Sequence, residues 1–331
     1  MKQALEKVLA GEDLTRDEAY GAMDKIMSGE ASDVQIAGLL VALRGKGESA
    51  QEITGFAQAM RDHMVKVPLD VDAIDMCGTG GDAKGTFNIS TAAAFVVAGA
   101  GVPVAKHGNR AISSASGSAD VLSALGIDTG GSADDISRSI ETAGLGFMFA
   151  PNFHPAMKHV MPARTGLAIR TIFNILGPLC NPAGVKRQVI GLFDGSLAPT
   201  LANVLMQLGS ENVLLVHGED GMDELTTTAR TTGAHLTDGA IAAFGLHPDD
   251  VGLPLASPDD LKGGGPDENA RMIMTILRKE PGAPRDIVVL NAAAGLLVAG
   301  KTGSLSEGRA LAEQSIDSGR AEAVLKAMMA R

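Results

Sequence analysis

The stretch Val71–Ala105, VDAIDMCGTGGDAKGTFNISTAAAFVVAGAGVPVA, contains the pattern that decides the fold. Its first residues, Val71–Met76, are typical of a short buried strand, and a glycine-rich loop follows them. Ser90–Ala100 is rich in alanine and predicts a helix, after which Val102–Ala105 predicts a second strand. A strand, a helix and a strand in this order are the unit from which α/β domains with parallel sheets are built.

The same pattern continues towards the C-terminus. Leu145–Ala150 and Val213–Val216 read as further buried strands, and helical stretches such as Leu197–Leu208 and Glu268–Leu277 lie between or after them. Strands that alternate with helices predict an α/β domain with a mostly parallel central sheet flanked by helices. We expect this larger domain to cover residues 70–164 and 181–331.

The segment before the α/β region has the pattern of a small all-helical domain, residues 1–65. Three capping boxes predict three helix starts there, in which a hydroxyl side chain and a side-chain acceptor satisfy free backbone donors. They are Thr15 with Glu18, Ser32 with Gln35, and Ser49 with Glu52. Residues 165–178 also read as helical and interrupt the α/β domain, and the segment 165–180 is expected to join the helical one.

Composition narrows the classes of function. The chain has 331 residues, 45% of them hydrophobic, and a formal net charge of −11. This charge argues against general nucleic-acid binding, which needs a basic surface. Cys77 and Cys180 are too few for a disulfide framework, and the most apolar run, Ala92–Val104, is too short and too rich in glycine to span a membrane. The expectation is a soluble, cytoplasmic protein with no membrane partner.

The glycine-rich loop, CGTGGD at 77–82, has a composition suited to binding phosphate. Backbone N–H groups and a helix dipole bind phosphate between a strand and a helix, and glycine lets the backbone approach closely. The loop lacks the lysine of a Walker motif. It matches a dinucleotide fingerprint loosely, but the second strand ends in Lys106, whereas a ribose hydroxyl would require an acidic residue. A structural turn before a capped helix is the alternative.

Three further motifs carry polar chemistry. KHGNR, at 106–110, places Lys106 and Asn109 at a strand end, where ligands gather in α/β sheets. GMDEL, at 221–225, contains adjacent carboxylates, which suit Mg²⁺ beside a polyphosphate but are often only solvated in loops. In the fourth segment, 154–182, Arg164 could bind a carboxylate through a bidentate fork. His154 and His159 lack convincing zinc spacing.

Taken in this order, the motifs resemble those of the anthranilate phosphoribosyltransferase family. The resemblance covers essentially the whole chain, and its most specific parts are GTGGD at 78–82, NIST at 88–91, KHGNR at 106–110 and RTIFNILGPLCNP at 170–182. It implies a helical N-terminal domain joined to a larger α/β domain and a homodimer formed through residues 1–65. The donor, phosphoribosyl diphosphate, would bind between the two domains with Mg²⁺.

The resemblance also implies roles for individual residues. The donor would be surrounded by Gly78, Gly81, Asp82, Thr86, Asn88, Ser90, Thr91, Lys106 and Ser118. The metal would be held by Ser90, Asp223 and Glu224. Anthranilate would contact Gly78, Asn109 and Arg164, with His107 and His154 along its route, and catalysis would depend mainly on Lys106, Asn109 and Arg164.

The implied reaction is the second step of tryptophan synthesis from chorismate. The neutral anthranilate amine would displace diphosphate directly with inversion, because no side chain stands out as a nucleophile. Two alternatives share the fold: a pyrimidine nucleoside phosphorylase and a nucleic-acid-binding relative without activity. The pair Asp223-Glu224 and the intact KHGNR motif favour the transferase over the first, and the acidic charge argues against the second.

Overall fold

The computed structural model describes residues 1–111 and 115–330. Its first part is a group of four helices, and the three predicted capping boxes form at the starts of the last three. At the first of them, the Glu18 carboxylate accepts the Thr15 N–H at 2.8 Å, and the Glu18 N–H donates to the Thr15 hydroxyl at 3.3 Å. The helices are α1 (Lys2–Leu9), α2 (Arg16–Met27), α3 (Asp33–Lys46) and α4 (Ala50–Asp62).

The rest of the described chain forms a seven-stranded sheet in the order β3-β2-β1-β4-β5-β6-β7. The pairings from β3 through to β5 are parallel, and the last two strands are added in antiparallel fashion. The mostly parallel sheet predicted from the sequence is therefore confirmed. The strands are β1 (Ile74–Gly78), β2 (Val104–Gly108), β3 (Leu145–Phe149), β4 (Arg187–Gly191), β5 (Asn212–Gly218), β6 (Thr231–Thr237) and β7 (Ala240–Leu246).

Helices cover both faces of this sheet. Those that follow the N-terminal group are α5 (Ile89–Gly99), α6 (Ser118–Ala124), α7 (Ala133–Ala143), α8 (Ala150–Phe153), α9 (Met161–Leu167), α10 (Phe173–Leu176), α11 (Ala198–Gln207), α12 (Pro266–Leu277), α13 (Ala283–Val298), α14 (Leu305–Asp317) and α15 (Arg320–Met329). None of the described helices is long and apolar enough to cross a membrane.

Successive side chains of the strands pack alternately into two separate apolar cores, one on each face of the sheet. Met76 and Leu214 belong to the core that includes α5 and α13. Cys77 and Leu215 point to the opposite face, where they join a core that also contains Phe56 of α4 and residues of α11. The core of the N-terminal helices is therefore continuous with one face of the sheet, because a strand presents successive side chains to opposite faces.

The segment 165–180 differs from the expectation. It is not one helix: α9 ends at Leu167, residues 168–172 are irregular, and α10 is a short helix followed by a 3₁₀ turn at Gly177–Leu179. Ala168 takes a left-handed conformation with φ of +50°, which ends α9. The break places Arg164 and Arg170 on different local structures.

Candidate active site

The carboxyl ends of four neighbouring parallel strands define the site. The chain runs from β1 outward to β2 and β3, then returns to the other side of β1 for β4 and β5. Such a reversal leaves a crevice at the carboxyl edge, where α/β sheets bind ligands. Three of the four predicted motifs lie at the ends of β1 and β2 and in the loop after β5, so the topology brings them to one edge.

The loop after β1 is anchored peptide by peptide. Thr79 donates its N–H to the Gly191 carbonyl at 2.9 Å, and Gly80 donates its N–H to the Asp223 carboxylate at 2.8 Å. Gly80 and Gly81 both take positive φ, +69° and +77°, which favours glycine. A Cβ on Gly78 would lie only 2.7 Å from Asp223 Oδ2. The glycines therefore allow an acidic loop to lie directly against the loop predicted to bind phosphate.

The acidic pair, Asp223 and Glu224, is half-buried and has no basic side chain paired with it among the described residues. Burial first, and then the neighbouring carboxylate of Glu224, raise the pKa of Asp223 well above its ordinary value. Burial also raises the pKa of Glu224 to about 7, although Lys106 acts in the opposite direction. Neither carboxylate has an ion-pair partner within 4 Å among residues 1–111 and 115–330. A bound cation would offset both the free-energy cost of burying the two carboxylates and the repulsion between their charges.

Ser90 joins the acidic pair to the lysine of the second motif. Its backbone N–H donates to Glu224 Oε1 at 3.1 Å, and its hydroxyl accepts from Lys106 Nζ at 3.2 Å. Lys106 is 3% exposed and also donates to the carbonyl of Met76. One chain of contacts thus links the loop after β1, the acidic pair, the start of α5 and the end of β2.

Other residues predicted at the donor site line the start of α5. Asn88 donates to the Ser116 carbonyl at 3.1 Å and accepts from Asn269 of α12 at 3.0 Å, so its carboxamide ties three segments together. The Thr91 hydroxyl is buried without a hydrogen-bond partner in the described chain. Thr86 pairs with Lys262 in a single antiparallel bridge, which fixes the second half of the loop.

The loop after β2 turns sharply around Gly108. The Ser118 hydroxyl donates to the Asn109 carbonyl at 3.3 Å, and a Cβ on Gly108 would lie 2.3 Å from that hydroxyl. The Asn109 side-chain oxygen accepts the Arg110 N–H at 2.8 Å, while the residue itself is exposed. Asp82 is half-buried after the glycines, close enough to Asp223 to raise its pKa. The structure therefore groups Asn109 with Ser118 and Asp82 with Asp223.

Two buried histidines lie on the opposite side of the sheet from Lys106. The rings of His107 and His154 have centroids 5.1 Å apart, and each residue is 8% exposed. Burial lowers the pKa of His107 to about 3 and that of His154 to about 4. Both Nε2 atoms lack a hydrogen-bond partner within the described residues. Both imidazoles are therefore neutral at pH 7, and their Nε2 atoms are buried in this conformation.

Arg164 is the predicted site residue with the fewest polar contacts. Its guanidinium lies 5.6 Å from the centroid of the Phe173 ring, and burial lowers its pKa. No hydrogen bond or ion pair of its side chain occurs in the part of the chain that the structure describes, so nothing joins it to the donor loop. The arrangement leaves a half-buried fork available to a carboxylate.

Full-length relatives identify the family of this chain. Family models described as the helical bundle domain and the a/b domain of the glycosyl transferase family match residues 2–64 and 70–322. An anthranilate phosphoribosyltransferase of Rhodopseudomonas palustris (strain HaA2) is 54% identical over 329 residues, 99% of this chain and 97% of the relative. One of Bradyrhizobium diazoefficiens is 52% identical over 330 residues, 100% of this chain and 98% of the relative. The chain belongs to the anthranilate phosphoribosyltransferase family.

Solved structures of the family have the same fold. The anthranilate phosphoribosyltransferase of Thermus thermophilus superposes with a TM-score of 0.94 at 46% identity, covering 99% of this chain and 98% of that one. The Saccharomyces cerevisiae enzyme in complex with PRPP and Mg gives a TM-score of 0.89 at 29% identity, covering 99% and 96%. The family resemblance and the fold class expected from the motifs are confirmed.

Sequence reasoning missed a buried cluster beneath the family's motifs. Asp75, fully buried on β1, accepts the His107 N–H at 3.2 Å and the Asn181 side chain at 2.8 Å. Asn181 also donates to the Ala105 carbonyl at 3.0 Å. Burial raises the pKa of Asp75. The available signal was a carboxylate at the centre of a strand whose other residues are apolar, because such a group is rarely buried without partners.

Proposed function

We propose that this protein transfers the phosphoribosyl group of 5-phospho-α-D-ribose 1-diphosphate to the amine of anthranilate. The products are N-(5-phosphoribosyl)anthranilate and diphosphate, and the reaction is the second step of tryptophan synthesis from chorismate. The observation that carries the proposal is the contact between the Gly78–Gly80 loop and Asp223. This contact supports the proposal because it joins the loop that we assign to phosphate to a carboxylate pair with no ion-pair partner among the described residues, which suits a metal diphosphate site.

The donor set fits Mg²⁺. We assign the ion to Ser90, Asp223 and Glu224. Two of these residues are already hydrogen-bonded, because the Ser90 N–H donates to Glu224. No group of three or more His, Cys, Asp or Glu side chains able to hold a metal occurs within residues 1–111 and 115–330. Mg²⁺ usually takes one or two carboxylates and completes its coordination with phosphate oxygens and water. When bound, the ion supplies positive charge to the diphosphate.

The chain's own residues supply the rest of the donor site. Lys106 directs a buried ammonium towards the start of α5, where it stabilises the charge that develops on the leaving diphosphate. Loop amides other than those of Thr79 and Gly80, which donate within the protein, bind phosphate oxygens, and the remaining donor contacts come from residues grouped at the same sheet edge. These are Gly78, Gly81, Asp82, Thr86, Asn88, Ser90, Thr91 and Ser118.

The acceptor needs binding and alignment more than activation. The amine of anthranilate is nucleophilic when neutral, so it attacks the anomeric carbon directly and diphosphate leaves with the bonding electrons. We assign the acceptor carboxylate to Arg164 and further contacts to Gly78 and Asn109, with His107 and His154 along the route. Holding the two reactants in line is the larger part of this catalysis.

We further infer a homodimer, formed through the helices of residues 1–65, and a cytoplasmic location. Val34 and Val41 of α3 support the first inference, because they are 82% and 47% exposed and share one face of the helix. Two free, buried cysteines support the second, since extracellular proteins tend to pair theirs.

The decisive experiment mixes the purified protein with phosphoribosyl diphosphate, Mg²⁺ and anthranilate. We expect loss of anthranilate fluorescence with matching release of diphosphate, abolition by a chelator and recovery with Mg²⁺. A parallel reaction with thymidine and phosphate tests the phosphorylase alternative. Phosphorolysis of thymidine without transfer to anthranilate would overturn the proposal.

The metal assignment has its own test. Asp223→Asn combined with Glu224→Gln keeps the shape of both side chains and removes their charge. We expect most turnover to be lost while the circular dichroism spectrum stays native. Asp220→Asn would be a poor control because Asp220 holds its own loop through Thr226 and Thr228. Asp238→Asn, at the exposed turn between β6 and β7, is the better one.

A further inference from the structure

Arg170 contacts two parts of the molecule at once. It lies in the irregular segment 168–172, between α9 and α10. Its guanidinium donates through Nη2 to the Gly81 carbonyl, and its own backbone carbonyl accepts from Arg44 Nη1 of α3. The side chain therefore reaches the phosphate loop of the α/β part, while the backbone is fastened to the N-terminal helices.

The guanidinium is held in place by stacking. Its Cζ lies 4.2 Å from the centroid of the Phe193 ring, which follows β4. Hydrogen bonds from Ser196 lower the pKa of the neighbouring Asp194, and the charge of Arg170 acts in the same direction. A planar, weakly hydrated guanidinium can stack on a ring and donate a directed hydrogen bond at the same time, whereas a lysine ammonium cannot do both with one geometry.

This contact completes the anchoring of the donor loop. Thr79 is hydrogen-bonded to Gly191, the last residue of β4, and Gly80 to Asp223, in the loop after β5. Gly81 is held instead by Arg170, from the side of the helices. A Cβ on Gly81 would lie 3.2 Å from Arg170 Nη2, so the approach is close. Because glycine peptides rotate freely, the direction of the loop amides depends on such anchors.

We propose that Arg170 is a positioning residue for the phosphoribosyl diphosphate donor. It orients the Gly81 peptide and, through Arg44, fixes the loop relative to α3. This inference rests on the proposed function. It separates Arg170 from Arg164, six residues earlier, which has no contact with the loop and is assigned to the acceptor.

The test compares single variants by the KM for each substrate. For Arg170→Ala we expect the donor KM to rise about 3- to 10-fold, the range for losing one hydrogen bond of ordinary strength. The anthranilate KM should stay within about twofold, since no acceptor contact is lost. Arg170→Lys should recover part of the loss, and Arg44→Ala should raise the donor KM in the same direction but less. Arg278→Ala, which removes an ion pair with Glu322 of α15, is the matched control.

Several results would overturn the proposal. One is a rise in the anthranilate KM alone, or an equal rise in both. Another is a lower melting temperature for Arg170→Ala with an unchanged donor KM, which would show a structural role only. Calorimetric titration of the protein with the donor and Mg²⁺ measures the affinity for the donor without turnover. If the native protein binds the donor but modifies no anthranilate, the proposed function fails, while weaker donor binding by Arg170→Ala still supports the positioning role.

Discussion

The guanidinium of Arg164 is half-buried and makes no polar contact with the described chain. Partial burial of an unpaired charge costs free energy, and a bound anionic ligand would offset this cost by pairing with it. A carboxylate bound there gains a charge-assisted pair in the ground state and in the transition state alike, so its loss affects KM more than kcat. With roughly 1.5–3 kcal/mol for such a bond, Arg164→Ala should raise the anthranilate KM about 10- to 150-fold.

The control for Arg164 is the substrate itself. Aniline lacks the carboxylate, so it should be a poor acceptor for the native protein and should lose little more in the variant. The donor KM should change far less than that for anthranilate. If both KM values rose together with a fall in melting temperature, Arg164 would serve α9 rather than the acceptor.

The two buried histidines make stability depend on pH. Their pKa values, about 3 and about 4 in the folded protein, lie below the ordinary 6.5 of an unfolded histidine. The unfolded chain therefore takes up protons first as the pH falls, so the contribution is complete above pH 6.5 and is lost progressively down to about pH 4 for His154 and about pH 3 for His107. At pH 5 each histidine should cost about 1–2 kcal/mol of unfolding free energy.

Urea titrations at pH 7.5 and pH 5 measure this loss. Buried carboxylates with raised pKa, such as Asp75, act in the opposite direction and remain in every variant. The double variant His107→Asn with His154→Gln should therefore lose less stability between the two pH values than the native protein. An equal loss in both would assign the effect to other groups.

Single residues divide into those that sequence could locate and those that it could not. Gly78, Ser90, Lys106 and Asp223 belong to local motifs, and the structure does bring them together. Arg170 and Asn181 belong to the motif at 170–182, but their contacts, like that of Asp75 with Asn181, join segments about a hundred residues apart in the chain. Their partners depend on the order of strands, which no local pattern encodes.

At the scale of elements, close helix packing in the N-terminal group depends on Gly55 of α4. A Cβ there would lie 2.3 Å from the Arg16 carbonyl of α2, so Gly55→Ala must push the two helices apart. We expect a loss of about 1–3 kcal/mol in unfolding free energy, as for other overpacked cores. The measurement is the denaturant midpoint.

Gly45 of α3 is the matched control, because a Cβ added there would have no heavy atom within 4 Å beyond its own helix turn. Gly45→Ala should stabilise the protein by about 0.5–1 kcal/mol through helix propensity alone. A destabilised Gly45→Ala, or a neutral Gly55→Ala, would contradict this account of the packing.

Strand prediction succeeded where strands are apolar and buried on both faces. The predicted runs Val71–Met76, Val102–Ala105, Leu145–Ala150 and Val213–Val216 overlap β1, β2, β3 and β5, although the first two begin and end two or three residues early. The strands β4, β6 and β7 were not predicted, for different physical reasons. β4 begins with the polar residues Arg187 and Gln188, while β6, TTGAHLT, carries polar residues among its apolar ones. Their pairing with β5 stabilises them, and this is tertiary information.

At the scale of the whole molecule, the fold class was predictable but the continuity of the cores was not. The sequence indicates helices followed by an α/β region. The structure adds that α4 and α11 pack on the same face of the sheet, so helical and α/β parts share one core. Val34 and Val41 of α3 are exposed, and we propose that a second copy of the chain packs on this face.

That assignment predicts the effect of charge on assembly. Val34→Glu with Val41→Glu should convert the homodimer to a monomer at micromolar concentration, because like charges would face each other across the interface. Leu255→Glu, at a residue 55% exposed in the α/β part, should leave the dimer intact. Sedimentation velocity distinguishes the two, and a monomeric native protein would refute the dimer itself.

The end of the sheet at β7 has a consequence for how the protein fails. β7, AIAAFGL, contains no charged residue and no proline, and its residues 240–243 are exposed. An uncharged terminal strand offers unpaired backbone groups to other copies, so we expect heat-induced aggregation to start there. The net charge of −11 opposes the approach of two molecules, but β7 itself contributes no charge to this repulsion. Ala242→Lys should delay light scattering during heating without moving the unfolding midpoint, and an unchanged onset would point to another segment as the seed.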